Sequence, residues 1–388
     1  MAVRVCIGSH GQFHAYDLAR QMERLGQLKT LYTGFPRWKV KGVSPDRVAT
    51  FPWMITALSA LSKVGVSSSR IPRFVNGLAM ASFDRWMARQ VAPCDVFHCM
   101  TGTGTAAHRA AKGKYGALTV CDRGSSHIVY QDEILSDEYS RWGIPYKHID
   151  ARTELDEYRE CDVIVVPSTF AYRSFVSKGV PEDKLAKIPY GVDLSVFHQV
   201  PKEDEVFRVL YVGAMTLRKG LPYLLEAIAG LRIPGLELWL VGSESSEARR
   251  FFGKYEGKFR FLGPIPRHQL YWYYSQASVF AIASVEEGLA LVQAQALACG
   301  LPVIATTNTG AEDLFTNGVE GYIVPIRDPD AIRERIAYLF DHSDERKAMS
   351  EAARDRVASL GGWDTYGQRM SRLYSQKLGL LQPAQEVK

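Results

Sequence analysis

Residues 284–306, SVEEGLALVQAQALACGLPVIAT, restrict the fold more than any other stretch of the chain. An apolar strand over 279–283 runs into the acidic pair Glu286-Glu287 and Gly288. A helical run through Ala298 follows, and Cys299-Gly300-Leu301-Pro302 stops it before a second apolar strand at 303–305. Strand, acid-Gly turn, helix, Gly-Pro stop and strand predict a βαβ unit. In such a unit Glu287 and Gly288 stand beyond the carboxyl end of a parallel strand, where open α/β sheets bind ligands. Glu287 and Gln295 are eight residues apart, so Gln295 falls about two helical turns on, on roughly the same face.

The same alternation spans the chain. Strands are expected at 4–7, 96–99, 118–121, 163–166 and 186–188, with helices between them. After a polar connection at 201–205 the pattern restarts with strands at 209–212, 238–241, 259–262, 279–283, 303–305 and 322–324. This predicts an α/β protein of two doubly wound Rossmann-like domains facing a cleft. With 388 residues the chain is long for one core and comfortable for two. No repeat of 20–50 residues and no low-complexity tract is present.

The segment with EG in front and ALACGLPVIAT behind resembles the E-x7-E donor site of retaining glycosyltransferases of family four, which have the GT-B fold. Two positions depart from that pattern: Gln295 stands where the second acid belongs, and Ala290 replaces a usual glycine. The resemblance continues in CDVIVVPSTFAYRSFVSKGVPEDKLAKIPYGVDLSVF (161–197), YVGAMTLRKGLPYLLEA (211–227) and FLGPIPRHQLYWYYSQASVF (261–280), in the family's order. It implies an acceptor-side domain over 1–190, a nucleotide-sugar donor domain over 191–362, and a final helix over 363–388 that crosses back to the first domain. Tyr366, Met370, Leu373 and Tyr374 have the spacing of one buried helical face, in keeping with that crossing.

For the site, the resemblance implies that Glu287 accepts hydrogen bonds from the donor sugar and that position 295 faces the nucleotide ribose. An amide at Gln295 can accept from one hydroxyl and donate to another. Backbone N–H groups of Gly288, Leu289, Ala290 and Leu291 would face the diphosphate at the helix start. Arg218 and Lys219, in the loop before the helix opening near Leu221, offer two cations beside a helix N-terminus, a diphosphate site without metal; solvated loop charge is the plainer alternative. The one Asp-x-Asp, Asp328-Pro329-Asp330, reads as a helix cap. Gly11 after the first strand would let a loop approach a phosphate or sugar, or simply make a tight turn. His127, past the strand ending at Cys121, is the candidate catalytic residue beside the sugar's reacting carbon, with Arg123 a weaker candidate for the same cleft. Backbone groups near Ser243, Pro264 and Ile265 are expected at the nucleotide base. The donor would be a UDP- or GDP-sugar, used as a substrate, with no cofactor or metal. The acceptor would be a glycan, a lipid-linked sugar or a small molecule.

Composition limits the partners. Hydrophobic residues at 46% and charged residues at 23% are ordinary for a globular protein. Residues 1–120 hold 16 Lys and Arg against 5 Asp and Glu, and the remainder 31 against 37. A basic first third favours anionic partners. In residues 36–73 Trp38, Phe51 and Trp53 lie among Arg37, Lys39, Lys41, Arg47, Lys63, Arg70 and Arg73. That mixture suits the surface of an anionic membrane, or equally a helical excursion packed on the domain; nucleic acid is not an expected partner. Six cysteines without CxxC spacing, an N-terminus that reads as a strand, and no long apolar run point to a cytoplasmic protein, in peripheral contact at most with the inner membrane face.

Two rival readings have footholds. Gly102-x-Gly104-x-x-Ala107 follows a strand and opens a helix, which resembles a dinucleotide fingerprint of an oxidoreductase. A catalytically silent GT-B subunit that binds nucleotide sugar would account for Gln295.

Overall fold

The computed structural model describes residues 3–53 and 73–381. Its first sheet contains β1 (Val5–Ser9), β2 (Leu28–Thr33), β3 (Val48–Thr50), β4 (Val96–Met100), β5 (Leu118–Asp122), β6 (Val163–Val166) and β7 (Leu185–Lys187). They pair in the order β3-β2-β1-β4-β5-β6-β7. The second sheet contains β8 (Arg208–Val212), β9 (Glu237–Val241), β10 (Arg260–Gly263), β11 (Val279–Ile282), β12 (Val303–Thr306) and β13 (Gly321–Val324), in the order β10-β9-β8-β11-β12-β13. Every pairing is parallel.

Strands such as VCIGS, VFHCM and VIVV are buried along their whole length, as parallel strands covered by helices on both faces must be. Strand order reverses between β1 and β4 and again between β8 and β11. Each reversal opens a crevice at the carboxyl ends of the strands, and the site is built at these two crevices. The chain has two Rossmann-like domains, the fold expected from its sequence.

Helix Trp363–Lys377 packs on helix Ala15–Arg24 of the first domain. Tyr366, Met370 and Tyr374, at four-residue spacing, are at most 1% exposed and share a core with Val5, Leu18 and Met22. Gly367 permits the contact: a Cβ there would lie 2.3 Å from the Cβ of Gln21.

The sequence pattern misses β2 and β3. Lys29 and Thr30 interrupt the apolar run of β2, and the three-residue β3 has no periodicity to detect. Residues 36–50 accordingly form two short 3-10 turns and the edge strand β3, and a helix begins at Trp53, just after Pro52. Phe51 stacks on Trp86, whereas Trp38 and Trp53 are 80% and 77% exposed. Residues 54–72, which hold the rest of that aromatic-basic stretch, lie outside the described residues. Among the described residues no helix is long and apolar enough to cross a membrane.

Candidate active site between the domains

The site is assembled by neighbouring strands. Because β8 pairs with β11, the loops leaving them run side by side. The Val285 N–H donates to the Arg218 carbonyl at 2.9 Å, fixing one loop on the other. Gly220 makes the approach feasible: its φ is +66°, and a Cβ would lie 1.8 Å from the Ala283 carbonyl oxygen. The loop cations are thereby delivered onto the acidic pair. Arg218 Nε donates to Glu286 Oε2 at 2.8 Å, and Lys219 Nζ pairs with Glu287. The two cations that the sequence offers as an open diphosphate site are therefore neutralised by adjacent carboxylates in this state.

Glu286, absent from the expected site residues, is fully buried and connects the domains. It accepts from Ser125 Oγ (2.7 Å), Ser126 Oγ (2.6 Å), the Ser126 N–H (3.2 Å) and Gln131 Nε2 (2.8 Å), all in the first domain. Burial alone would raise its pKa, but Arg218 and these donors outweigh burial and hold it down to about 2. A doubled acid at a strand end was the only signal of it in the sequence.

Gly288 lies directly against the first domain. A Cβ there would lie 2.1 Å from the Gly124 carbonyl oxygen, and the Gly288 carbonyl accepts from Ser168 Oγ at 2.5 Å. The Ala290 N–H donates to the Thr309 carbonyl at 3.1 Å, so it drops out of the expected set of free amides. Those of Gly288, Leu289 and Leu291 donate to no protein group among the described residues, and they precede or open helix Leu291–Ala298. Gln295 lies one turn into that helix, and its Oε1 accepts from Tyr274 Oη at 3.1 Å.

First-domain candidates are distributed differently from expectation. His127 caps helix Ile128–Arg141, its Nδ1 accepting from the Val129 N–H at 3.2 Å, and its ring packs on Tyr158 and Phe175. It opens on a 660 Å³ pocket lined by first-domain residues alone, among them Leu155, Lys178 and Pro181. It is not brought to Glu287. Burial, reinforced by Arg123 and Lys178, pushes its pKa down to about 4. The capping geometry, invisible in the spacing, sets the ring against Tyr158 and Phe175. Arg123 is likewise engaged, with Glu154, Gln131 Oε1 and the Ser126 carbonyl. It braces the residues that hold Glu286. Gly11 is buried in the turn after β1, where its carbonyl accepts from Ser9 Oγ at 2.8 Å.

Ser243, Pro264 and Ile265 follow β9 and β10 on the outer side of the second crevice. The Ser243 carbonyl accepts from the Met215 N–H at 2.9 Å, Pro264 is exposed, and Ile265 packs on the domain core. Asp328 caps helix Pro329–Asp341 through the Ala331 N–H at 2.9 Å, as its sequence context predicts.

The dinucleotide foothold is occupied by the protein itself. Glu157 accepts from the N–H groups of Gly102 and Gly104, both at 2.6 Å, and Asp84 accepts from those of Ala106 and Ala107 at 2.8 and 2.9 Å. The amides that would cradle a pyrophosphate already hold two carboxylates.

Comparison with known proteins agrees with this architecture. Residues 11–196 match the model "Glycosyltransferase Family 4" and residues 195–356 match "Glycosyl transferases group 1". A GDP-mannose-dependent monoacylated alpha-(1-6)-phosphatidylinositol monomannoside mannosyltransferase of Corynebacterium glutamicum is 28% identical over 237 residues, 55% of this chain. The match spans 62% of that relative, less than two thirds of its length. Among solved structures, sucrose-phosphate synthase from Thermosynechococcus elongatus superposes with a TM-score of 0.75 at 21% identity, covering 98% of this chain and 100% of that one. Anabaena HepE in complex with UDP and glucose superposes with a TM-score of 0.70 at 15% identity, with the same coverage. The chain thus has the GT-B fold, its first domain matched by the Glycosyltransferase Family 4 model and its second by the Glycosyl transferases group 1 model.

Proposed function

We propose that this protein is a glycosyltransferase that moves a sugar from a nucleotide-sugar donor to an acceptor hydroxyl, with retention of anomeric configuration and without a divalent metal. The observation that carries the reading is the convergence of Lys219, Arg218, Glu287 and the free amides at the start of helix Leu291–Ala298 on the point where Gly288 touches Gly124. A diphosphate in that place meets a helix N-terminus and two cations. It would draw Lys219 away from Glu287, freeing the carboxylate to accept from sugar hydroxyls. In the retaining step the bond from the anomeric carbon to the phosphate oxygen breaks. The acceptor oxygen bonds on the same face, and the acceptor's proton passes to the departing diphosphate. The donor is a UDP- or GDP-sugar. Bound UDP in the HepE structure and the GDP-mannose dependence printed for the corynebacterial relative support that choice.

A glycan or lipid-linked acceptor fits the basic first third of the chain, and a peripheral site at the inner face of a membrane is part of the same reading. A silent nucleotide-sugar-binding subunit is the second reading, favoured by the neutralised cations and by Gln295.

Donor turnover separates the two. UDP- and GDP-sugars, incubated with excess chelator and a panel of acceptors, should yield nucleoside diphosphate, and NMR of the first product should show the donor's anomeric configuration. Inverted product would remove retention. Full loss of turnover with chelator would remove the metal-free site. Binding with no turnover of any donor would leave the silent subunit.

A further inference from the structure

Asp122, at the carboxyl end of β5, is 1% exposed and sits between two histidines. Its Oδ2 lies 2.8 Å from His14 Nε2 and 3.0 Å from His98 Nε2. An ionised carboxylate only accepts, so both imidazoles place their N–H at Nε2. Burial would raise the Asp122 pKa, but the imidazoles outweigh it and keep the group ionised. The two rings then diverge. His98 is wholly buried and its Nδ1 accepts from Tyr374 Oη at 2.9 Å, on the returning C-terminal helix. His14 packs at a tilt on Tyr190 with ring centroids 4.3 Å apart, and its Nδ1 has no protein partner among the described residues. His14 lines a 280 Å³ cavity between the domains, with Leu291 and Gln295 on the other wall.

The chemistry of the two walls is complementary. Gln295 Oε1 is occupied by Tyr274 Oη, which leaves the amide N–H groups to meet a ligand. Gln295 therefore offers donors, where a carboxylate at that position would offer acceptors. In its neutral form, with Nε2–H on Asp122, His14 offers the missing acceptor at Nδ1 from the opposite domain.

We propose that His14 is a nucleotide-binding residue that accepts a hydrogen bond from a ribose hydroxyl of the bound nucleoside diphosphate, that Gln295 donates to the neighbouring hydroxyl, and that Asp122 is the positioning residue for His14. The proposal rests on the nucleotide site described above. It places the reading of the sugar's diol on both domains, so ribose recognition is completed only when they are together.

The test is binding of UDP and GDP, their 2′-deoxy and 3′-deoxy forms, and inorganic pyrophosphate to the full chain by calorimetry. Wild type should bind one nucleoside diphosphate and discriminate against one deoxy form by about tenfold, the worth of a single hydrogen bond. His14→Ala should lose that discrimination while binding pyrophosphate as before, which also reports that the site is folded. Asp122→Asn, which leaves His14 in place but unoriented, should lose most of it. Gln295→Glu in the His14→Ala background should restore discrimination by supplying an acceptor from the second domain, an outcome no structural role of His14 would produce. Undiminished discrimination in His14→Ala, or no rescue by Gln295→Glu, would overturn the proposal. Absence of any nucleoside diphosphate binding by wild type would instead overturn the nucleotide reading itself, and this inference with it.

Discussion

Lys219 and Glu287 face each other across neighbouring loops, and beside them Arg218 and Glu286 do the same. Such pairing leaves the site close to neutral by itself, and in the proposed function a diphosphate would replace a carboxylate rather than water as the partner of a cation. Glu286 differs from Glu287 in being sealed from solvent and bound from both domains. Its folded-state pKa lies below the ordinary value of 4.5, so its stabilising contribution is complete above that pH and is lost as pH falls towards about 2. Glu286→Gln keeps the shape and removes the charge. It should cost about 2–3 kcal/mol near neutral pH, reduced from the range for buried pairs because Arg218 is partly exposed. The variant should also flatten the fall of melting temperature between pH 4.5 and 2; an acid profile parallel to wild type would contradict the assignment. Nothing local could have revealed this residue's partners, since Ser125 and Ser126 are about 160 positions away in sequence. For the same reason the surroundings of His127 were not legible: a histidine after a strand is visible in the sequence, but its burial against Tyr158 and Phe175 is decided by chain returning some 30 to 50 residues later.

At the scale of elements, the site depends on two glycines that let backbones touch. Gly220 seats one loop on Ala283, just past β11, and Gly288 seats the second domain on Gly124 of the first. Both belong to motifs legible in the sequence, KG and EG, because a residue required for close approach sits at a fixed offset from its own strand. The βαβ unit at 279–306 was legible for the same reason: its strand, turn and helix are all local. What the pattern could not show was where an element meets something distant, as when Glu157 fills the Gly102 and Gly104 amides and removes a fingerprint that looked open. Gly288→Ala should force the Gly124 carbonyl away by about 1 Å, because the added Cβ would lie 2.1 Å from that oxygen and must reach ordinary contact. A displacement of that size at a reacting centre lowers kcat about a hundredfold. Nucleoside diphosphate affinity should fall far less than kcat, since both cations lie on the second domain and only the His14 contact spans the gap. Wild-type kcat in this variant would show that the two domains do not act together in the transfer step.

The whole molecule is two sheets of the same winding, with their strand-order reversals contributing to one cleft and a last helix bonded back to the first domain. Tyr374 on that helix reaches His98, and through Asp122 reaches His14 at the cleft, so the end of the chain is chemically continuous with the site. Alternating strands and helices made this plan legible from sequence, whereas the direction of each side chain at the crossing was set by packing between distant segments. In the proposed function a nucleoside diphosphate is held between the domains by Lys219 and the helix beginning at Leu291. Calorimetric titration of UDP and GDP into wild type and Lys219→Ala addresses it directly. One of the two nucleotides should bind wild type without added metal, and Lys219→Ala should bind it about ten- to a hundredfold more weakly, the worth of one charge-assisted contact. Equal affinity in the two proteins, or no binding of either nucleotide to wild type, would contradict a diphosphate site at Lys219.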